Sequence, residues 1–475
     1  MKQIYFAGLS IVAVILLYSC VPTQQAQKIK PVVLPASYTN KTDSSNSALT
    51  SPQQLFSDPF LKQLIDTAIA NNYDLQIAFQ RIRIAQSDVM LGNGALKPRV
   101  DVSVVGALRR YGLYTMDGAG NSSTFMLPGK IVPTNLPDYF PSFQSSWEID
   151  LWGKLKNRKK AAISRYLAST EGKNFVLTNL VSDLASAYYE LQAIDETIRI
   201  IDETIELQQQ AFEIVKAKKE AAVLNELAVK QFEAQLINLQ AFRLILLQHV
   251  IETESKINLL AGRLPQSIKH TASFAPQPFA DIIKPGIPAS LLENRPDIRQ
   301  AALLVAATKA DVSAAKAAFY PSLNIIAGMG FQAFRPDLLF QSPQSIAYSL
   351  VGSLAAPLVN RAGVKAGFNT ATAAQQESLF QYSKTIVQAY TEVYTGLMRA
   401  DNLTKVFQLK TEENKALSQS ILVAQELFRT GRATYLEVLF AQQNTLKAKL
   451  ELVETRKQQL FTSIQLYKSL GGGWR

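Results

Sequence analysis

Residues 71–98 read NNYDLQIAFQRIRIAQSDVMLGNGALKP, and residues 294–321 read NRPDIRQAALLVAATKADVSAAKAAFYP. Asn71, Asp74, Asp88, Val89 and Pro98 of the first stretch return in the second as Asn294, Asp297, Asp311, Val312 and Pro321, each 223 positions on. Self-similarity at a fixed offset marks an internally duplicated fold. Near the ends of the two copies the offset is 210, with Leu260-Ala261-Gly262 matching Leu470-Gly471-Gly472. The first copy carries 16 extra residues after its proline, since Pro98 to Leu151 spans 53 positions and Pro321 to Leu358 spans 37; a 3-residue surplus later in the second copy restores 210. The copies occupy 56–270 and 288–475. Between them, 271–287 holds Pro276, Pro278 and Pro285 and reads as a linker.

Each copy has one order of elements. A helix comes first, from Leu61 to about Leu96 and from Ser290 to about Phe319, stopped by Pro98 and Pro321. Two alternating strands follow. Val100, Val102 and Val104 share one face, and Phe143, Ser145, Trp147, Ile149 and Leu151 share a face of the partner. In the second copy Leu323, Ile325, Ala327, Met329, Phe331 and Ala333 alternate, as do Tyr348, Leu350, Gly352 and Leu354. These runs have the length at which a tilted strand crosses a bilayer, about 9–11 residues, although a soluble sandwich uses similar strands. The 112–138 connection, rich in Gly, Ser, Asn and Pro, suits an external barrel loop.

Long helices complete each copy. Leu180, Leu184, Ala187, Leu191, Ile194, Ile198, Ile201 and Ile205 alternate steps of 4 and 3. Leu436, Leu439, Gln443, Leu446, Leu450, Val453, Lys457, Leu460, Ile464 and Tyr467 do the same. Sustained spacing of this kind is a coiled-coil seam. A helix over 155–219 would be about 98 Å long. Glu220–Asn225 and Thr430-Gly431-Arg432 are where the helices turn back. Two strands per copy make four per chain, too few to close around a lumen. The fold class is therefore mainly α with a membrane β-barrel, and the barrel requires an oligomer.

The chain has 475 residues, 47% of them hydrophobic and 18% charged, with a net charge of +11. One cysteine excludes an internal disulfide framework, and His249 and His270 alone cannot build a multi-histidine metal centre. No Gly-rich phosphate loop is present. These absences leave no basis for an enzyme and call for no metal or cofactor. Lys and Arg are scattered, which argues against a nucleic-acid partner. The apolar run IYFAGLSIVAVILL over 4–17 suits a secretory signal, and Leu17-Tyr18-Ser19-Cys20 ends it like a bacterial lipobox. Residues 1–19 would be removed and Cys20 acylated, which anchors the chain in lipid. Residues 20–55 then form the tether.

Here the residues resemble a known family. Ser146-Trp147-Glu148-Ile149-Asp150-Leu151-Trp152-Gly153-Lys154, Asn294-Arg295-Pro296-Asp297-Ile298, Phe319-Tyr320-Pro321, Arg429-Thr430-Gly431 with Tyr435-Leu436, and the ending Leu466 to Trp474 are similar to TolC-like outer-membrane efflux proteins. The matching branch is the lipoprotein one serving resistance–nodulation–division pumps. The resemblance implies a homotrimer whose chains complete a 12-stranded barrel in the outer membrane of a Gram-negative bacterium, with a helical tunnel in the periplasm. It further implies a periplasmic adaptor and an inner-membrane pump as partners. The docking tips would then be Lys218, Lys219, Ala221, Arg429, Thr430, Gly431 and Arg432, unless these form only a solvated surface. The narrow end would fall at Leu436 and Phe440, either as an apolar gate or as ordinary core. Two departures stand out: Glu220-Ala221-Ala222 where many members carry Gly, and Phe440 where relatives often have Asp.

Trp147 and Trp152 fit a membrane interface or packing at the strand–helix junction. Arg295-Pro296-Asp297 fits a helix start, with Arg295 paired to an acid. The function expected is a passive exit duct for drugs or other small toxic compounds. The alternatives are a duct for type I protein secretion and a structural coiled-coil lipoprotein without a channel.

Overall fold

The computed structural model describes residues 32–38, 49–271, 274, 284–356 and 362–474. The signal peptide, Cys20, most of the tether and most of the 271–287 linker lie outside the described residues. The described chain forms two compact units. One takes 83–167 and 303–380; the other takes the described part of 30–82 with 168–302 and 381–475. Each unit thus draws on both sequence copies.

Asp58 caps helix α1 (Pro59–Asn71), accepting from the amides of Phe60 at 2.9 Å and Leu61 at 3.4 Å. The uninterrupted helix expected from Leu61 to Leu96 is instead broken at Asn72. The Asn72 carboxamide oxygen caps α2 (Tyr73–Gly94) through the Leu75 amide at 3.0 Å, and its NH₂ donates to the Leu260 carbonyl at 2.9 Å. The second copy breaks at the equivalent place. A single turn, Leu291–Asn294, ends at Arg295, which precedes a proline and is extended at φ −81°, ψ 118°. Helix α5 (Pro296–Ala317) follows.

Strands β1 (Arg99–Arg109), β2 (Leu136–Ile149), β3 (Ser322–Phe331) and β4 (Ile346–Ala355) form one antiparallel sheet in that order. Leu151 and Ala333, expected within strands, lie just past strand ends. The 112–138 connection is more ordered than a plain loop: it holds a helix, Met116–Ser123, and a hairpin of Phe125–Leu127 with Lys130–Ile131.

The register sorts the two faces. Val102 pairs with Phe143, Phe143 with Met329 and Met329 with Tyr348, giving one apolar row across all four strands. These residues are 71%, 62%, 63% and 83% exposed, so nothing among the described residues covers them. The opposite face carries the row Asp101, Gln144, Gly328 and Ser349. The second face is mixed, since Val105 pairs there with Phe140 and Ile326 with Val351, but a continuous apolar row on one face and a largely polar or small one on the other, in strands of this length, fit a membrane barrel. Among the described residues, no helix is long and apolar enough to cross a membrane.

Four long helices carry the rest: α3 (Lys154–Glu220), α4 (Glu226–Leu260), α6 (Ala362–Arg429) and α7 (Tyr435–Ser469). In the helical unit, α1, α3 and α7 meet in a core that includes Leu61, Ile65, Leu184, Tyr188, Tyr189, Leu191 and Ile464. Arg295 is buried against this unit's second core. It bonds Asp297 at 2.7 Å, Glu392 at 2.7 Å and the Ser469 carbonyl at 2.9 Å. The guanidinium thereby ties the start of α5 to α6 and to the end of α7.

Candidate functional site: the paired helical turns

Both hairpin turns lie in the helical unit. Helix α3 ends in a tight motif in which the Val223 amide donates to the Lys218 carbonyl and the Ala222 amide to the Lys219 carbonyl, both at 2.9 Å. Helix α6 ends the same way: Arg432 donates to Leu427 at 2.8 Å and Gly431 to Phe428 at 3.2 Å. The left-handed position is Gly431, φ +74°, in the second turn, and Ala222, φ +58°, in the first. Ala222 therefore closes its turn despite the Cβ that disfavours this backbone.

The next helices start on firm caps. Asn225 accepts from the Ala228 amide at 3.1 Å. Glu437 reaches back to the Thr434 amide at 2.6 Å and hydroxyl at 3.0 Å, and these bonds hold its carboxyl below the usual range.

Apolar packing joins the turns. Val215, Ala228, Val229 and Phe232 are buried at the first turn, and Tyr435 and Leu439 pack against them from the second. Lys218 Nζ sits 4.0 Å from the centre of the Phe428 ring. The tips are less basic than their lysines suggest. Lys219 pairs with Glu226 at 2.7 Å, which depresses the Glu226 carboxyl, and Arg429 pairs with Glu426 at 2.7 Å. Ala221, Thr430, Gly431 and Arg432 stand exposed at the turns.

Helix α7 turns Tyr435, Val438 and Leu439 inward. Leu436 and Phe440 lie on the adjoining face and are 41% and 63% exposed. The seam expected to begin at Leu436 begins instead one position earlier, because the α3–α4 cluster meets the helix at Tyr435. Packing within one chain thus does not account for Leu436 and Phe440.

Elsewhere the two tryptophans of the strand–helix junction are held by hydrogen bonds to backbone carbonyls, which fit either a membrane interface or junction packing. Trp147 donates to the Leu96 carbonyl at 3.1 Å; Trp152 donates to the Pro321 carbonyl at 2.8 Å and stacks on Tyr320. Sequence reasoning missed His270, whose Nε2 lies 2.7 Å from Asp195 and whose ring meets Tyr188 edge-on. Tyr188 and Thr271 both donate to the buried Asp58 carboxylate, at 2.7 Å and 2.9 Å. No local spacing marks partners so far apart in sequence. Among the described residues, no group of three or more His, Cys, Asp or Glu side chains could hold a metal ion.

A model of the family described as "Outer membrane efflux protein" matches residues 64–263 and 287–472. The chain belongs to the outer membrane efflux protein family. The pyoverdine export outer membrane protein OpmQ of Pseudomonas putida is 30% identical, over 97% of this chain and 96% of the relative. The solvent efflux pump outer membrane protein SrpC of Pseudomonas putida is 26% identical, over 90% of this chain and 88% of the relative. Among solved structures, the outer-membrane channel OprN superposes with a TM-score of 0.82 at 22% identity, over 96% of this chain and 99% of that one. The Campylobacter jejuni CmeC outer membrane channel superposes at 0.83 and 20% identity, over 95% and 94%. The fold is that of TolC-like channels, with strands for a barrel and helices for a tunnel. This outer membrane efflux protein belongs in the outer membrane, as an efflux channel component, and its family consists of channel proteins rather than enzymes.

Proposed function

We propose that three copies of the chain join their sheets into one 12-stranded barrel and that their helices form a passive exit duct for drugs or other small toxic compounds. One observation carries this reading: among the described residues the four-stranded sheet has a continuous apolar row on one uncovered face, and its outer strands β1 and β4 each pair on one side only. Unpaired strand edges inside a bilayer are costly, and strands of further copies satisfy them. The energy for transport would come from an inner-membrane pump through a periplasmic adaptor docked at Lys218, Lys219, Ala221, Arg429, Thr430, Gly431 and Arg432. The duct itself catalyses nothing. Acylation of Cys20 would add a lipid anchor. Similarity to a solvent efflux protein and a pyoverdine export protein supports small cargo over polypeptide cargo.

Deleting the gene and following export tests the cargo. Cells lacking the chain should accumulate small amphiphilic compounds while secreting proteins normally. Lost protein secretion with unchanged accumulation would instead favour the type I duct.

A further inference from the structure

The end of the sheet nearest the long helices is strongly cationic. Over 97–101, 148–160, 316–322, 355–356 and 362–365 the chain places nine bases against three acids. At the opposite mouth, residues 109–138 and 332–345 hold four bases and three acids. The asymmetry survives pairing. Arg99 is taken by Asp101 at 2.8 Å and Lys154 by Glu148 at 2.6 Å. Asp150 is engaged by the amides of Leu155 at 3.0 Å and Lys156 at 2.8 Å. Lys97, Lys156, Arg158, Lys160, Lys316 and Lys365 remain exposed, with no ion pair among the described residues.

Local folding does not explain this collar. Helix α3 has no acid in its first turn and five bases in its first two turns, where positive charge opposes the helix dipole. Contributions from α2–β1, α3, α5 and α6 gather at this end of the sheet, beyond the last apolar side chain of each strand, Val100, Ile149, Leu323 and Leu354. The stacked pair Trp152 and Tyr320, ring centres 4.8 Å apart, sits at the same end, just past Ile149 and just before Leu323. Apolar side chains, then indole and phenol, then unpaired cations repeat the order of acyl chain, interface and phosphate in a phospholipid leaflet.

We propose that this collar binds the headgroups of anionic phospholipids in the periplasm-facing leaflet of the outer membrane. The inference rests on the outer-membrane placement of the sheet with its helices toward the periplasm. The collar would set the depth of the barrel by charge, independently of any acyl chain on Cys20.

Native mass spectrometry of the purified, assembled protein tests it. The protein is incubated with equal amounts of phosphatidylglycerol and phosphatidylethanolamine carrying the same chains. The wild type should retain phosphatidylglycerol preferentially. The triple variant Lys156→Gln/Arg158→Gln/Lys160→Gln should lose that preference by about tenfold or more. The mouth variant Arg110→Gln/Lys130→Gln should keep it. If the triple variant fails to assemble, Lys97→Gln/Lys365→Gln is read in the same way. Equal retention of the two lipids by wild type, or preference surviving in the collar variant, overturns the proposal. Displacement of phosphatidylglycerol by equimolar inorganic phosphate also overturns it, because the site would then be one for small anions. An oligomer that forms normally but lacks lipid preference leaves the channel reading standing and removes only the collar.

Discussion

Lys218 Nζ lies 4.0 Å from the ring centre of Phe428, binding the last turn of α3 to the last turn of α6. The contact links the closing turns of the two sequence copies, and a cation over a partly exposed ring contributes about 0.5–1 kcal/mol. Phe428→Ala should loosen the tips without disturbing the sheet. Limited proteolysis should cut 221–225 and 430–434 faster in the variant, while cleavage elsewhere is unchanged. Equal rates at the turns would show that the apolar cluster around Val215 and Phe232 suffices alone.

The turns should respond oppositely to side-chain changes at their left-handed positions. Ala222 holds φ +58° with a Cβ present, so Ala222→Gly should relieve strain of about 1 kcal/mol and raise the thermal midpoint slightly. Gly431 holds φ +74° with open space around it, so Gly431→Leu costs backbone strain rather than a clash. That variant should assemble normally yet export less, by misplacing the adaptor contact. Crosslinking from 429–433 to the adaptor reads this out; undiminished crosslinking and export would contradict it.

His270 should make the helical unit sensitive to pH. The hydrogen bond to Asp195 raises its pKa, opposed by burial and aided by the Thr271 carbonyl and the charges of Asp195 and Glu254. A pKa raised in the folded state gives stability that is full below the ordinary histidine value, about 6.5, and is lost as pH rises through the folded value. The thermal midpoint should therefore fall across that window, and His270→Gln should remove this component of the fall. A variant with the full wild-type pH dependence would exclude His270.

Leu436 and Phe440 are exposed on one face of α7 at the turns. In a trimer each would form a ring, and apolar rings close pores by excluding water. Leu436→Ala with Phe440→Ala should raise the resting conductance of the assembled protein and leave its thermal stability nearly unchanged. A stability loss of about 2–5 kcal/mol per truncation would mark them as packed residues instead.

The strands and long helices were legible in the sequence because each meets a one-sided environment. Val102, Phe143, Met329 and Tyr348 alternate with polar or small neighbours, so period 2 survives even without a covering layer among the described residues. The turns were legible through Gly431 and the interruption at Glu220–Asn225. The breaks at Asn72 and Arg295 were not. Asn72 is bonded to the Leu260 carbonyl and Arg295 to Glu392 and the Ser469 carbonyl, partners that only the folded chain brings near. His270 with Asp195 and Tyr188 with Asp58 were hidden for the same reason. Leu436 was placed in the seam because a 4/3 pattern cannot separate two adjoining apolar faces at a helix start; the contact of Tyr435 with the first turn decides it.

Single-channel recording of the purified full-length protein in planar bilayers tests the central claim most directly. The account predicts discrete conductance steps from heat-modifiable trimers, since sheets with two open edges must close around a lumen. Correctly assembled, bilayer-inserted protein that never conducts, even with Leu436 and Phe440 truncated, would contradict it.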